Sequence, residues 1–188
     1  GVDKSHKVTV TKSWSDPSAT ILDDIRTGIT KIVDDTGVTV ERAVCSSKVF
    51  GYIRANTEIK KSIYVMTDGV GFVSDAKVKQ FIKDELGIDI VVYDKRYKDE
   101  EGAVQRYVPE DVFVMFPTGK LGNTWFGTTP EESDLMSSNV ANVSITDTGV
   151  AVTTMTKADP VNVETKVTMI CVPDFPTADQ VYILDVVA

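Results

Sequence analysis

Few residues in this chain could carry nucleophilic or acid–base chemistry, because it contains one histidine and two cysteines. His6 lies in a polar leading segment, so a Ser-His-Asp or Cys-His mechanism would depend on it alone. We expect His6 to lie on a mobile terminus without a catalytic role. No serine occupies the centre of a G-x-S-x-G turn, the usual setting of a hydrolase nucleophile. The sequence therefore predicts no catalytic residue and a protein that is not an enzyme.

Metal and cofactor motifs are also missing from the sequence. Cys45 and Cys171 lie far apart without a C-x-x-C pair, and we expect two buried free thiols rather than a disulfide. Gly119-Lys120 resembles the end of a phosphate-binding loop, but Val114 and Leu121 occupy positions that require glycine and Ser/Thr. No segment carries the alternating oxygen ligands of a calcium loop. The sequence predicts no metal site and no cofactor.

Adjacent acidic residues and a few aromatic residues remain as candidates for a site. On helices and turns, neighbouring side chains diverge, so we interpret the acidic pairs as solvated faces; they are Asp23-Asp24, Asp34-Asp35, Asp84-Glu85 and Glu100-Glu101. Trp14, Trp125 and Phe126 could form a ligand platform. Aromatic residues beside glycines are more often packed within strands, which is the interpretation we favour.

The composition is that of a folded protein with an acidic surface. The chain has 188 residues, of which 42% are apolar and 26% charged, and this excludes disorder as the main state. The net charge of -8 and the absence of a basic stripe argue against sequence-specific nucleic-acid binding. No apolar run approaches the ~20 residues needed to span a bilayer, so we expect no membrane association.

The most distinct local pattern predicts a helix over 17–36. Asp16-Pro17 is a typical helix start, with aspartate as the cap and proline in the first turn. Apolar residues then recur at helical spacing, and their face is formed by Ile21, Ile25, Ile29, Ile32 and their neighbours Leu22 and Val33. Gly37 is placed to end the helix in the left-handed conformation.

The remaining pattern predicts two further helices among strands. A second helix begins at Ser46 or Ser47 and is interrupted near Asn56, and a third runs from Ser74-Asp75 to Gly87. A polar turn over 98–102 joins two strands of a hairpin. The predicted strands lie at 38–44, 88–93, 105–108, 111–116, 150–156, 161–171 and 181–187. Helices among strands followed by an all-β end indicate the α+β class.

The segments 150–156 and 161–171 alternate as in a long two-stranded ribbon. One face is apolar and contains Val161, Val163, Thr165, Val167, Met169 and Cys171. The other face contains Asn162, Glu164, Lys166 and Thr168, which we expect to be solvated. Because the apolar face is costly to leave in water, we expect it to be covered by residues 1–12, by the ribbon twisting back, or by a second chain.

Several segments, in their order along the chain, resemble the lambda-type phage major head (capsid E) protein family. They are Trp14-Ser15-Asp16-Pro17, Lys48-Val49-Phe50-Gly51-Tyr52-Ile53, Ile90-Val91-Val92-Tyr93, Val108-Pro109-Glu110-Asp111, Leu121-Gly122-Asn123-Thr124 and Val172-Pro173-Asp174-Phe175-Pro176. The resemblance implies the common tailed-phage major capsid protein fold. It places an axial domain at 13–146 and 172–188, a peripheral β-ribbon at 147–171 and the end of a peripheral-domain segment at 1–12. The family's N-terminal arm, extended loop and spine helix would lie before Gly1.

The resemblance also implies a function. It indicates a structural major capsid protein of a tailed bacteriophage or prophage, which self-assembles into an icosahedral shell that encloses DNA. The implied partners are other copies in pentamers and hexamers, with scaffold and decoration proteins as further candidates. The implied location is the virion, after assembly in the bacterial host cytoplasm. The alternatives are a phage tail or baseplate subunit, or a small-molecule binding module with Trp125 and Phe126 in an enclosed apolar pocket.

Overall fold

The computed structural model describes residues 2–66, 73–130, 133, 142–147, 149–158 and 161–187. The chain divides into two compact units: Gly1–Gly119 with Thr177–Ala188, and Lys120–Pro176. Helices and strands are mixed in the first unit, whereas the second consists of strands in its described part, so the predicted α+β class is confirmed. These boundaries differ from those of the predicted axial and peripheral domains, whose assignment stays a prediction.

A five-stranded sheet forms the centre of the first unit. Its order is β1 (Lys7–Thr9), β12 (Tyr182–Asp185), β6 (Val112–Phe116), β2 (Arg42–Cys45) and β3 (Asp89–Val92). The central strand β6 is antiparallel to both of its neighbours. The outer pairs are parallel, β1 with β12 and β2 with β3. The two ends of the chain are therefore joined in one sheet.

The described residues of the first unit form four α-helices: α1 (Ile21–Thr36), α2 (Ser47–Ala55), α3 (Thr57–Met66) and α4 (Asp75–Leu86). The apolar face predicted for α1 is buried at Ile21, Ile25 and Ile32, which belong to one core cluster with Phe113 and Met115 of β6. At the margins of this face, Ile29 is partly buried and Val33 is exposed. Among the described helices, none combines the length and apolar character that crossing a membrane requires.

The helix α1 begins at Ile21, and the predicted start at Pro17 is wrong by four residues. Asp16 does cap a turn, but Asp16 Oδ1 accepts the backbone N–H of Ser18 at 2.8 Å, two residues along the chain. This is an Asx turn, the competing use of aspartate at the beginning of a turn. The predicted end is confirmed, because Gly37 has φ 71° and its N–H bonds the Val33 carbonyl.

Three polar residues define the other helix boundaries, as predicted. The hydroxyls of Ser46 and Ser74 accept N–H groups in the first turns of α2 and α4, at Val49 and at Lys77. Asn56 separates α2 from α3. Its side-chain oxygen caps α3 by accepting the Ile59 N–H at 3.1 Å, and its Nδ2 donates to the Ala19 carbonyl at 2.8 Å. The break is thus a buried cap between two helices.

A hairpin follows β3, with strands β4 (Arg96–Lys98) and β5 (Val104–Arg106). The predicted polar turn is confirmed: Asp99 Oδ1 accepts the Ala103 N–H at 2.7 Å, and Gly102 has φ 83°. That φ value favours glycine. Most residues of both hairpin strands are exposed.

The second unit contains two small sheets. β7 (Asn123–Phe126) pairs antiparallel with β11 (Cys171–Asp174), and the other sheet has the order β10 (Val161–Met169), β9 (Val150–Ala158), β8 (Asn142–Asp147). The predicted ribbon is confirmed as β9 and β10. β8 is a third strand that the sequence pattern did not indicate. The sequence also predicts a loop at 67–71, a turn at 158–160 between the two ribbon strands and a short helical turn at 130–132. The loop and most of both turns lie outside the described residues.

Gly28 brings α1 close to the sheet. A Cβ at this position would meet Met115 Cε and would lie 2.9 Å from Tyr182 Cδ1, whereas a Cβ at Gly51 of α2 has nothing within 4 Å. We therefore expect Gly28→Ala to destabilise the protein by about 1–2 kcal/mol, since overpacking outweighs the gain in helix propensity. Gly51→Ala should stabilise it by about 0.5–1 kcal/mol. Urea unfolding followed by circular dichroism measures the change in the free energy of unfolding for both variants. A stabilising effect of Gly28→Ala, like that expected for Gly51→Ala, would contradict the close approach of α1 to the sheet.

Candidate interaction surfaces

His6 is a buried structural residue, so the expectation that it lies on a mobile terminus is wrong. Its ring is 2% exposed, Nε2 lies 2.8 Å from Asp35 Oδ2, and the ring centroid is 5.8 Å from that of Tyr182. Asp35 also forms an ion pair with Lys31 at 2.8 Å. The contact with Asp35 attaches the leading segment to the end of α1. Because the ring is buried, a substrate could not reach it.

The two cysteines differ in environment. Cys45 of β2 is buried as expected, and burial raises the pKa of its thiol to about 12, so it is protonated at neutral pH. Cys171 is exposed on β11, and the expectation of a second buried thiol is wrong. Both thiols are free. Within the described ranges, no group of three or more histidine, cysteine or carboxylate side chains is arranged to hold a metal ion.

Two of the adjacent acidic pairs contain a structural acceptor. Asp24 Oδ2 accepts the Trp14 Nε1–H at 2.8 Å, and Asp35 bonds His6. Burial raises the pKa of Asp24, and the hydrogen bond from Trp14 partly opposes that rise. The interpretation of these pairs as solvated faces therefore holds for the exposed Asp23, Asp34 and Asp35 but not for the half-buried Asp24.

The three candidate aromatic residues have different roles. Trp14 is 1% exposed and packs against Phe113, with ring centroids 5.3 Å apart, inside the first unit. Trp125 and Phe126 lie on β7 in the second unit, where Trp125 is 63% exposed and Phe126 is also exposed. Trp125 and Phe126 therefore lie on a strand as expected, but their side chains are exposed, whereas Trp14 is packed in the core from a turn. Such exposure of Trp125 and Phe126 does not match an enclosed pocket for a small molecule.

The apolar face of the ribbon is open to solvent. Along β10, Val163 is 58% and Val167 is 65% exposed, and Val167 is paired with the half-buried Val152 of β9. The expectation that the ribbon twists back to cover this face is wrong, and its covering by a second chain stays a prediction. On the opposite side of β9, Ala151 and Thr153 are buried. We call the exposed side the valine face; its members on β10 are Val161, Val163, Thr165, Val167 and Met169.

A second exposed apolar surface lies on the β4–β5 hairpin of the first unit. Tyr97 is 43% and Tyr107 is 59% exposed, and their ring centroids are 4.9 Å apart. Tyr93 continues the series, 6.3 Å from Tyr107. The sequence prediction placed a polar turn and the strands of a hairpin in this region but did not single out these tyrosines as a surface. The alternation of Tyr93, Lys95 and Tyr97 was the available signal, because residues two apart share one face of a strand.

A family model described as phage major capsid protein E matches residues 1–179. The chain belongs to this family. The predicted resemblance is thereby confirmed, and the family match favours a capsid protein over a tail or baseplate subunit. Membership of a capsid family is consistent with the exposed apolar surfaces described above, since shells are built from repeated contacts between identical subunits.

Solved structures show the same capsid fold. The chain matches the putative capsid protein of a prophage from Escherichia coli CFT073 with a TM-score of 0.66 and 16% identity, covering 99% of this chain and 54% of that one. It matches a phage-related protein from Bordetella bronchiseptica RB50 with a TM-score of 0.58 and 13% identity, covering 98% and 57%. The chain thus spans about half the length of these proteins. A comparison with curated proteins found no match.

Two of the segments that resemble the capsid family are strand partners. Asn123 of the Leu121-Gly122-Asn123-Thr124 segment pairs with Asp174, and Thr124 pairs with Pro173. A Cβ at Gly122 would meet the Asp174 carbonyl oxygen, so the close approach of these two segments of the chain requires glycine at this position. The residues that resemble the capsid family at these positions therefore form a close contact between the backbones of β7 and β11.

Proposed function

We propose that this chain is part of a structural major capsid protein of a tailed bacteriophage or prophage. Copies would assemble as pentamers and hexamers into an icosahedral shell that encloses DNA. The shell would form in the bacterial host cytoplasm and persist in the virion, with scaffold and decoration proteins as further partners. Catalysis, cofactors, sequence-specific nucleic-acid binding and membrane association have no part in this function. We retain the axial and peripheral assignment of the domains as part of the proposal.

The valine face is the observation that carries this proposal. Burying a valine side chain stabilises a protein or complex by about 1.5–3 kcal/mol, and several such side chains are exposed together on β10. Contiguous exposed apolar surface of this kind marks interaction sites in soluble proteins. In a shell of identical subunits the chemically matched occupant is another part of the capsid protein itself.

The acidic composition is consistent with the same role. A shell must surround DNA without holding it at every point, and a chain with a net charge of -8 repels the phosphate backbone. The contacts between subunits would then depend on apolar surfaces more than on the total charge. Apolar contacts between subunits, together with an acidic surface that does not bind DNA tightly, suit a shell that encloses DNA.

A charge on the valine face should prevent assembly without unfolding the chain. We expect Val167→Asp to leave the melting temperature nearly unchanged, because the side chain is 65% exposed in the isolated chain. Expression of the open reading frame that encodes this chain, followed by electron microscopy, should yield shells for the wild type and none for Val167→Asp. Asn162→Asp, which adds the same charge to the opposite face of β10, is the matched control.

Two results would contradict the proposal. Wild-type expression that gives a monodisperse monomer and no particles would remove the capsid function. Shells of normal number and size from Val167→Asp would show that the valine face is not buried on assembly. A large loss of stability in Val167→Asp would instead show that the face is covered within the chain.

A further inference from the structure

The exposed side of the β4–β5 hairpin is a continuous aromatic surface. In the antiparallel pairing Tyr97 lies opposite Gln105, and the Tyr107 N–H donates to the Lys95 carbonyl at 3.3 Å. Side chains opposite each other in an antiparallel pair point to the same face. We call this side the tyrosine face and define it by Tyr93, Lys95, Tyr97, Gln105 and Tyr107. Lys95 is the only charged member of the face, and its Nζ lies 5.8 Å from the centroid of the Tyr93 ring.

The hairpin is held rigidly at its base. Arg106 Nη1 donates to Asp94 Oδ1 at 3.0 Å, and Nη2 donates to Glu110 Oε1 at 3.1 Å. Asp94 also accepts the Ser47 N–H at 3.1 Å, which ties the hairpin to the start of α2. These hydrogen bonds lower the pKa of Asp94 and keep it ionised at neutral pH.

The tip of the hairpin is ordered as well. Asp99 Oδ1 accepts the Ala103 N–H, and Asp99 Oδ2 accepts from Gln105 Nε2 at 3.1 Å. A surface that is ordered before binding loses little conformational entropy when a partner binds. Tyrosine is well suited to such a surface, because it offers a large and rigid contact area together with a polar hydroxyl. The tyrosine face therefore has the properties of a preorganised binding surface.

Charge indicates what this surface binds. The hairpin residues 93–107 contain equal numbers of acidic and basic side chains, so the surplus of eight negative charges lies entirely outside the hairpin. On the tyrosine face, Lys95 forms no ion pair among the described residues, whereas Arg106 on the other face of the hairpin is neutralised by its two partners. The tyrosine face thus carries one uncompensated positive charge, which is complementary to the acidic remainder of another copy of the chain.

The acidic tip disfavours nucleic acid as the partner. A nucleic acid carries phosphates along its whole length, so Asp99, Glu100 and Glu101 would repel the phosphates that flank any contact with Lys95. A protein surface can instead present a local acidic group to Lys95. A contact between the hairpin of one copy and a different surface of the next is head-to-tail, and such contacts generate rings when the rotation closes. This is the kind of contact that pentamers and hexamers require.

We propose that the tyrosine face binds a neighbouring copy of this chain and forms a head-to-tail contact within the ring. This inference rests on the proposed capsid function. Tyr97 and Tyr107 provide the buried area of the contact, and Lys95 directs the approach toward an acidic surface. Arg106 is a positioning residue that holds the hairpin for this contact.

The test compares association of full-length variants by sedimentation velocity and electron microscopy. Tyr97→Ala with Tyr107→Ala should weaken association by about tenfold or more, the effect of removing two central aromatic anchors. Val65→Ala, which shortens a highly exposed apolar side chain on α3, should leave association unchanged. Circular dichroism melting establishes that each variant is folded.

Lys95→Glu is a second variant that removes no packed ring. We expect weaker association at low salt, with a difference from the wild type that shrinks as salt screens the charges. Lys61→Glu on α3 makes the same change of charge at another exposed site and should have a much smaller effect. Binding of duplex DNA, measured by fluorescence anisotropy, is recorded for each variant.

The outcomes separate this inference from the proposed function. Shells that form normally from the double tyrosine variant and from Lys95→Glu, but not from Val167→Asp, would overturn the tyrosine contact and leave the capsid function intact. Association that is unchanged while DNA binding falls in Lys95→Glu would assign the face to nucleic acid and overturn the proposal. A wild type that does not associate would overturn both.

Discussion

Trp14→Ala is expected to destabilise the first unit by about 3–5 kcal/mol, the usual cost of removing a fully buried indole. Trp14 is 1% exposed, packs against Phe113 with the rings tilted, and donates its Nε1–H to Asp24. The substitution leaves a cavity beside β6 and an acceptor without its donor. All described helices lie in the first unit, so urea unfolding followed by helical circular dichroism measures this loss.

The chain offers a matched control in its second tryptophan. Trp125 is largely exposed on β7, and Trp125→Ala should change the free energy of unfolding by less than about 0.5 kcal/mol. Trp14→Phe retains most of the packing and loses the hydrogen bond, so its effect should lie between the two. Equal stabilities of Trp14→Ala and Trp125→Ala would show that Trp14 is not part of the core.

Ile25→Ala is expected to cost about 2–5 kcal/mol, because the side chain is fully buried between α1 and the sheet. Val33→Ala on the same helix should cost less than about 1 kcal/mol, since Val33 is exposed. The comparison separates loss of packing from loss of helix propensity, because alanine favours the helix at both positions. Similar losses for the two variants would mean that the face of α1 is wrongly assigned. Thermal and urea unfolding both provide the measurement.

Local signals predicted the helix boundaries well wherever the cap lies within the segment itself. The side chains of Ser46, Ser74 and Asn56 each accept a hydrogen bond from the N–H group three residues later. Gly37 adopts a positive φ, and its N–H donates to the carbonyl of Val33. These interactions depend on a few consecutive residues, so the pattern of residue types is sufficient to find them. The error at Asp16 arose because aspartate also closes a turn with a residue two positions away.

Long-range pairing explains what the sequence pattern left undetermined in the first unit. The alternation of Val8 and Val10 predicts a strand in the leading segment but not the partner of that strand. β1 is a three-residue strand that pairs in parallel with β12 near the other end of the chain. His6 is buried because this pairing places it against α1 and Tyr182, and no residue near His6 in sequence indicates either neighbour. Burial of a polar ring is therefore a property of the assembled sheet.

The candidate surfaces depend both on the sequence pattern and on the tertiary contacts. The alternation of Val161, Val163 and Val167 predicted an apolar ribbon face from the sequence alone, since the period of a strand is two residues. Whether that face is covered depends on which element lies against it, and the structure leaves it exposed. The pattern thus determined which side chains are grouped, and the tertiary contacts determined which group remains available to a partner.

From its sequence alone the chain is assigned to the α+β class, to its principal helices and ribbon, and to the capsid family, because these follow from caps, periodicity and ordered motifs. The tertiary structure decided the strand order of the central sheet, the burial of His6 and the exposure of Cys171. It also brought the tilted rings of Tyr97 and Tyr107 together across a hairpin. These features depend on contacts between residues distant in sequence or on opposite strands, whose free energy exists only once the chain has folded.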